Sequence, residues 1–124
     1  MADHGAFHWN ELLTGDVEKS KAFFAEVCGW TYDDVPMPNF TYTVAKSGDR
    51  MLAGMMDKSK TGNPAMPSHW MAYISVDDVD AAAAKVAGAG GTVMQEPFDI
   101  EGVGRIAIVA DPDGAVVGLM TDAG

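Results

Sequence analysis

The pattern of hydrophobic and polar residues in the first half of the chain predicts one strand, then one helix, then three further strands. Alternation with a period of two predicts a strand over Phe7–Leu13, and apolar residues along one helical face predict a helix over Val17–Cys28. Asp16 can accept hydrogen bonds from the free amides at the start of this helix, and Gly29 is placed to end it. Three further strands are predicted between turn residues: Trp30–Asp34, Phe40–Ala45 and Met51–Met56.

The second half shows the same order of elements. The pattern predicts a strand over His69–Val76 and an alanine-rich helix over Asp78–Val86, which a group of glycines ends. Three strands are predicted to follow: Thr92–Glu96, Val103–Val109 and Ala115–Met120. The stretch at about 59–68 contains glycine and proline without periodicity, so we predict a linker there.

The two halves correspond in order, which indicates a duplication. Gly54-Met55-Met56 matches Gly118-Leu119-Met120, and Asp16 matches Asp78, at an offset of about 60 residues in both cases. This predicts an α+β fold with two βαβββ modules, at about 5–58 and 69–122. At 124 residues, the chain has the length of a single domain.

Composition narrows the classes of protein to which the chain can belong. With 48% hydrophobic and 21% charged residues it is typical of a globular protein, and no run of about 20 apolar residues would span a membrane. The formal net charge of −10 disfavours binding to nucleic acid or to anionic lipid. The single cysteine, Cys28, excludes an internal disulfide and, together with an N-terminus that lacks a signal sequence, favours a cytoplasmic location.

Four short motifs carry a resemblance to a known family. They are Asp16 with Phe23-Phe24, then Gly29-Trp30, then Gly104-Arg105, then the turn Asp111-Pro112-Asp113-Gly114. Their order resembles the vicinal-oxygen-chelate superfamily, which includes glyoxalase I, extradiol dioxygenases and bleomycin-resistance proteins. The resemblance implies that the two modules form a cupped, mostly antiparallel eight-stranded sheet, and that the protein is a homodimer.

The resemblance also implies where a metal ion would bind. Metal-using members place ligands on the first and last strands of each module, and these positions correspond to Trp9, Met71, Gly54 and Gly118. Indole and glycine offer no metal-ligating side chain, and a thioether is a poor ligand for a hard cation. We therefore predict no metal and no cofactor, with a divalent metal as the alternative.

Strand alternation predicts which side chains line the ligand cavity. Trp9 and Glu11 share one face of the first strand, and His69, Met71 and Tyr73 share the corresponding face of the fifth. Met56 and Met120 lie beside the two glycines, whose bare backbone could admit a ligand or merely fit a tight bend in the sheet. The predicted ligand-binding residues are Trp9, Gly54, Met56, Met71, Tyr73, Gly118 and Met120, although these side chains could instead fill a core.

Glu11 and His69 are the candidates for chemistry. A carboxylate that faces an apolar cavity needs a partner, and the near-symmetry of the two modules would bring the His69 imidazole to Glu11. The pair could transfer a proton or bind a polar group, or it could be a structural ion pair. His8 falls on the opposite face, where a structural role is predicted, and Arg105 is predicted to pair with a carboxylate.

The leading functional prediction is metal-independent binding of a small apolar or aromatic molecule, as in the bleomycin-resistance branch. The alternative is a lyase, isomerase or dioxygenase of the same superfamily. It would use either a rearranged metal site of His69, Glu11 and His8 or metal-free acid–base catalysis. A third possibility is an interaction module that binds no small ligand.

Overall fold

A computed structural model describes residues 3–38, 40–61, 66–100 and 103–122, and the first module in it follows the predicted order. Its elements are β1 (Phe7–Thr14), α1 (Val17–Cys28), β2 (Thr31–Pro36), β3 (Thr41–Ser47) and β4 (Arg50–Asp57), and a 3₁₀ turn (Lys58–Thr61) follows them. The described part of the predicted linker therefore begins with a helical turn. Its glycine and first proline, Gly62 and Pro64, lie outside the described residues.

The second module repeats this order. It consists of β5 (His69–Ser75), α2 (Val79–Val86), a 3₁₀ turn (Ala87–Ala89), β6 (Thr92–Ile100), β7 (Gly104–Ala110) and β8 (Val116–Asp122). The prediction of an α+β fold with two βαβββ modules is therefore confirmed. The described residues contain no helix that is long and apolar enough to cross a membrane.

The chain divides into two compact units whose boundaries differ from those of the modules. One unit is Trp9–Met71, and the other combines the residues up to His8 with those from Ala72 onward. Within the first unit the strand order is β2-β3-β4-β1, and within the second it is β5-β8-β7-β6. Pairing is parallel between β1 and β4 and between β5 and β8, while the other pairs within each unit are antiparallel, so each unit contains both kinds of pairing.

Equivalent aspartates begin the two helices, as the sequence predicted. The side chain of Asp16 accepts a hydrogen bond from the Lys19 amide at 3.1 Å, and Gly29 ends α1 in the left-handed conformation with φ of 73°. The Asp78 side chain accepts from the amides of Asp80 and Ala81 at 3.0 and 3.2 Å. Each aspartate thus satisfies backbone donors that the first turn of a helix leaves unpaired.

Each unit has its own hydrophobic core on the helix side of its strands. In the Trp9–Met71 unit the core consists of Leu12, Ala45, Ala53 and Met55, and Phe24 of α1 packs against it. In the other unit it consists of Val76, Val79, Ala83, Ala107, Val109 and Leu119. Met55 and Val79 are the largest fully buried side chains, and burial of each contributes about 1.5–3 kcal/mol.

Candidate functional site

A chain of hydrogen bonds joins Trp9, Tyr42 and Glu11 on one face of the Trp9–Met71 unit. The indole Nε1 of Trp9 donates to the Tyr42 hydroxyl at 3.0 Å, and that hydroxyl donates to Oε1 of Glu11 at 2.9 Å. Trp9 and Glu11 lie on β1, whereas Tyr42 lies on β3, and β4 separates these two strands. The Tyr42 side chain therefore crosses β4 to reach its partners.

Gly54 makes this crossing possible. It is in register with Glu11 on β1 and with Val44 on β3. A Cβ atom added to Gly54 would collide with the hydroxyl and ring of Tyr42. The sequence suggested that this glycine either admits a ligand or fits a bend, and the structure shows that it admits the chain's own tyrosine.

The direction of the hydrogen bonds determines what the site offers a ligand. The Tyr42 hydroxyl has one proton, which goes to Glu11, so it can only accept from Trp9. This arrangement partly offsets the desolvation of a carboxylate that is half buried. A ligand at this face would find an acceptor, the Glu11 carboxylate, and would be favoured by a hydroxyl or amine donor.

The side chains on this face remain partly accessible. The partly exposed residues on it are Trp9, Glu11, Tyr42, Val44 and Met56. This combination of an indole, a phenol, a thioether and one carboxylate is the kind of lining found in small-molecule sites, which are mostly apolar with few polar groups.

The corresponding face of the other unit is closed. Tyr73 is in register with Gly118, and its ring lies over that glycine, where an added Cβ would collide with it. Tyr73 and Met120 are each only 5% exposed. Both modules therefore use a last-strand glycine to hold a tyrosine ring, but from different strands, because Tyr42 lies on β3 and Tyr73 lies on β5.

Glu11 and His69 each have a hydrogen-bond contact with a different group. Glu11 accepts from Tyr42, while Nδ1 of His69 lies 2.8 Å from the carbonyl oxygen of Pro67. The pairing of Glu11 with His69 remains a prediction. Met71, also predicted to contact a ligand, is buried at 6% exposure.

The remaining histidines and Arg105 have partners of their own. Nε2 of His8 lies 3.1 Å from Oδ1 of Asp122, and Nδ1 of His4 accepts from the Asp77 amide at 2.9 Å. The ring of His4 is therefore held by a backbone contact although it is largely exposed. Among the described residues, no three His, Cys, Asp or Glu side chains are grouped so that they could hold a metal ion.

Arg105 forms the surface ion pairs that the sequence predicted. Its guanidinium donates to both carboxylate oxygens of Asp80, at 2.7 and 3.1 Å, and to Asp99 at 3.2 Å. The hydrogen bonds from Arg105 lower the pKa of the Asp80 carboxyl, and the two carboxylates raise the pKa of Arg105. These contacts tie α2 to β6 and β7.

A groove that the sequence did not indicate lies on the helix side of the Trp9–Met71 unit. It has a volume of about 400 Å³ and is lined by Val17, Glu18, Asp34, Phe40, Thr41, Thr43 and Asp57. Because Thr43 follows Tyr42 along β3, their side chains point to opposite faces, and the groove is separate from the Trp9–Tyr42–Glu11 site. The Lys21 ammonium lies 3.5 Å from both Glu18 and Asp34 and offsets part of the negative charge near the groove.

Comparison with known proteins identifies relatives of this chain by sequence. The protein named "Putative glyoxylase CFP32" from Mycobacterium bovis is 42% identical over 120 residues, which are 96% of this chain and 45% of that protein. The "Anthracycline biosynthesis protein DnrV" from Streptomyces peucetius is 33% identical over 123 residues, which cover 90% of this chain and 45% of that protein. The chain thus spans about half the length of these curated relatives.

A solved structure has the same fold as this chain, and a family model matches its sequence. A hypothetical protein from Bacillus halodurans C-125 superimposes with a TM-score of 0.70 at 8% identity, covering 98% of this chain and 97% of that one. At this identity the likeness concerns the fold alone. The model of the Glyoxalase/Bleomycin resistance protein/Dioxygenase superfamily matches residues 6–119. The chain therefore belongs to the Glyoxalase/Bleomycin resistance protein/Dioxygenase superfamily.

Proposed function

We propose that the protein binds a small apolar or aromatic molecule, without a metal ion, at the Trp9–Tyr42–Glu11 face. The observation that carries this proposal is the hydrogen-bond chain from Trp9 through Tyr42 to Glu11 over Gly54. It holds one carboxylate in a fixed position beside accessible aromatic and thioether groups. Fixed polar groups in a mostly apolar lining provide orientation, while the apolar surface provides affinity.

Glu11 sets the chemistry of the preferred ligand. Its carboxylate accepts hydrogen bonds and repels anions, so the ligand would carry a hydroxyl or amine beside its aromatic body. Trp9 and Met56 would contact that body. The other predicted contacts, which are Gly54, Met71, Tyr73, Gly118 and Met120, are buried.

A thermal-shift screen with matched compounds tests this proposal. Each aromatic compound is supplied as a phenol, as its methyl ether and as its carboxylate. We expect phenols to raise the melting temperature more than ethers or carboxylates, and Glu11→Gln to reduce that preference. Glu96→Gln, which changes an exposed glutamate on β6 of the other unit, is the matched control and should behave like the wild type.

Two results would contradict the proposal. One is the absence of stabilisation by any member of the series. The other is an equal response of wild type and Glu11→Gln to phenols and ethers. Metal analysis of protein purified without chelator provides a separate test, because stoichiometric nickel, zinc, manganese or iron would refute metal-independent binding.

Metal-free acid–base catalysis is the second candidate, and the Glu11–Tyr42 contact favours it. The Glu11 carboxylate can accept a proton from a substrate, and the Tyr42 hydroxyl, which donates to it at 2.9 Å, would hold it in position. The name of the mycobacterial relative is consistent with an enzyme. Under this alternative, Glu11→Gln and Tyr42→Phe would abolish turnover of a bound compound rather than only weaken its binding.

We also propose a cytoplasmic homodimer. Cys28 is an exposed free thiol, which suits a reducing compartment. Dimerisation follows from the family resemblance and is measured by the mass of the protein in solution.

A further inference from the structure

Helix α1 leaves two of its large apolar residues, Phe23 and Val27, mostly exposed. None of its 12 residues is buried, although surface helices normally bury an apolar stripe. Phe24 is partly buried, but Phe23 and Val27 are 57% and 62% exposed. These two lie four residues apart and therefore on the same side of the helix.

The exposed residues continue into an aromatic cluster within the Trp9–Met71 unit. The ring of Phe24 contacts Phe23 edge-on at 4.9 Å, stacks on Trp30 at 4.9 Å and meets Trp70 edge-on at 5.6 Å. Trp70 is itself 42% exposed. We call Phe23, Phe24, Val27 and Trp70 the aromatic face. Exposed Trp and Phe next to one another are typical of the centre of a protein–protein interface.

We propose that the aromatic face binds the aromatic face of a second copy of this chain, with the two α1 helices antiparallel. This inference rests on the homodimer proposed above and names its surface. A two-fold axis brings the same patch of each copy together, so an apolar patch can cover itself. In an antiparallel pair, the positive end of each helix dipole also lies beside the negative end of the other, which is electrostatically favourable.

Charge on the same side of α1 supports this arrangement. Lys19 lies four residues before Phe23 and Glu26 three residues after it, so both flank the apolar residues. Among the described residues neither side chain forms an ion pair. In an antiparallel pair centred near Phe23, Lys19 of each copy would approach Glu26 of the other, which fixes both register and direction.

The length of the relatives favours a second copy over an unrelated partner. The mycobacterial and Streptomyces proteins are matched over only 45% of their length, so each has room for a second segment of this size in the same polypeptide. A second copy of this chain would supply a segment of the same size.

Light scattering and sedimentation of the purified chain test the inference. We expect the wild type to have the mass of two chains, and Phe23→Ser and Val27→Asn each to weaken the dimer at least about tenfold. Met94→Ser, at a residue 59% exposed on β6 of the other unit, is the control and should leave the dimer unchanged. A monomeric wild type would refute the homodimer. A dimer that Phe23→Ser and Val27→Asn leave intact would refute only this surface.

Charge reversal gives a sharper test of the antiparallel register. Lys19→Glu would place glutamates opposite each other, and Glu26→Lys would place lysines opposite each other, so each variant alone should dimerise more weakly. Mixing the two variants would restore opposite charges at both contacts. We expect a heterodimer that is tighter than either homodimer, and equal affinities in the mixture would contradict the register. Circular dichroism of each variant confirms that its fold is retained.

Discussion

At the scale of single residues, the site depends on the absence of a side chain. Tyr42 can cross β4 to reach Trp9 and Glu11 because Gly54 has no Cβ in its path. Neither the tyrosine nor the glycine is unusual in a strand on its own. Their joint role appears only when the register of β3, β4 and β1 is known.

Gly54→Ala should therefore destabilise the protein by about 1–3 kcal/mol, since the new methyl group must displace the Tyr42 ring. Urea unfolding measures this change. In a Tyr42→Ala background the same substitution should cost much less, because the collision is gone, and the double-mutant cycle gives the coupling. Gly88→Ala is a matched control, as an added Cβ there meets nothing within 4 Å. Equal costs in both backgrounds would contradict this account of Gly54.

Residue identities predicted part of this site. Strand alternation placed Trp9 and Glu11 on one face, and their joint contact with Tyr42 agrees with that placement. Tyrosine is common in strands, so the sequence alone does not single out Tyr42. The missing information was spatial, since a hydrogen bond across an intervening strand depends on register, which the pattern within one strand does not fix.

At the scale of elements, Arg105 links α2 to the two strands beside it. Its hydrogen bonds lower the pKa of Asp80 in the first turn of α2. A carboxyl whose pKa is lower in the folded state stabilises the fold above its ordinary pKa of about 4. That contribution is lost as the pH falls through the folded pKa, when Asp80 becomes protonated.

The difference in unfolding free energy between wild type and Asp80→Asn should therefore be larger at pH 7 than at pH 3. Urea titrations at both pH values measure it. High salt should reduce the difference at pH 7, because the ion pair is exposed to solvent and is screened. Asp49→Asn, in the exposed turn after β3, corrects for the general effect of losing one negative charge. A difference that does not change with pH would show that Arg105 does not couple to the protonation of Asp80.

Element type was easier to predict than element length. The helices were placed well because an aspartate and the apolar spacing mark each start. The strand predicted over Thr92–Glu96 in fact extends to Ile100, past Pro97. Proline lacks an amide donor and usually ends a strand, but β6 is the last strand in its order, and its register shifts twice where it pairs with β7. The length of β6 thus depends on its position in the sheet and its pairing with β7 rather than on its local sequence.

At the scale of the whole molecule, the duplication made the fold predictable. Because the same pattern of elements occurs twice, an error in predicting one strand does not change the predicted architecture. The division into compact units was less predictable, because it follows contacts in space and assigns the residues up to His8 to the same unit as the second module. Such contacts leave no periodic signal in the sequence.

At this scale, the exposed apolar residues on α1 bear on whether the protein dimerises. The melting temperature of the protein tests this. If folding and dimerisation are coupled, mass action raises the melting temperature with protein concentration. An increase from about 1 to about 100 µM should raise it by several degrees. A tandem fusion of two copies, close in length to the mycobacterial relative, should melt at a temperature independent of concentration, since its second copy is always present. If the single chain also melts independently of concentration, its folded state does not need a second copy, and the exposed side of α1 is stable in water by itself.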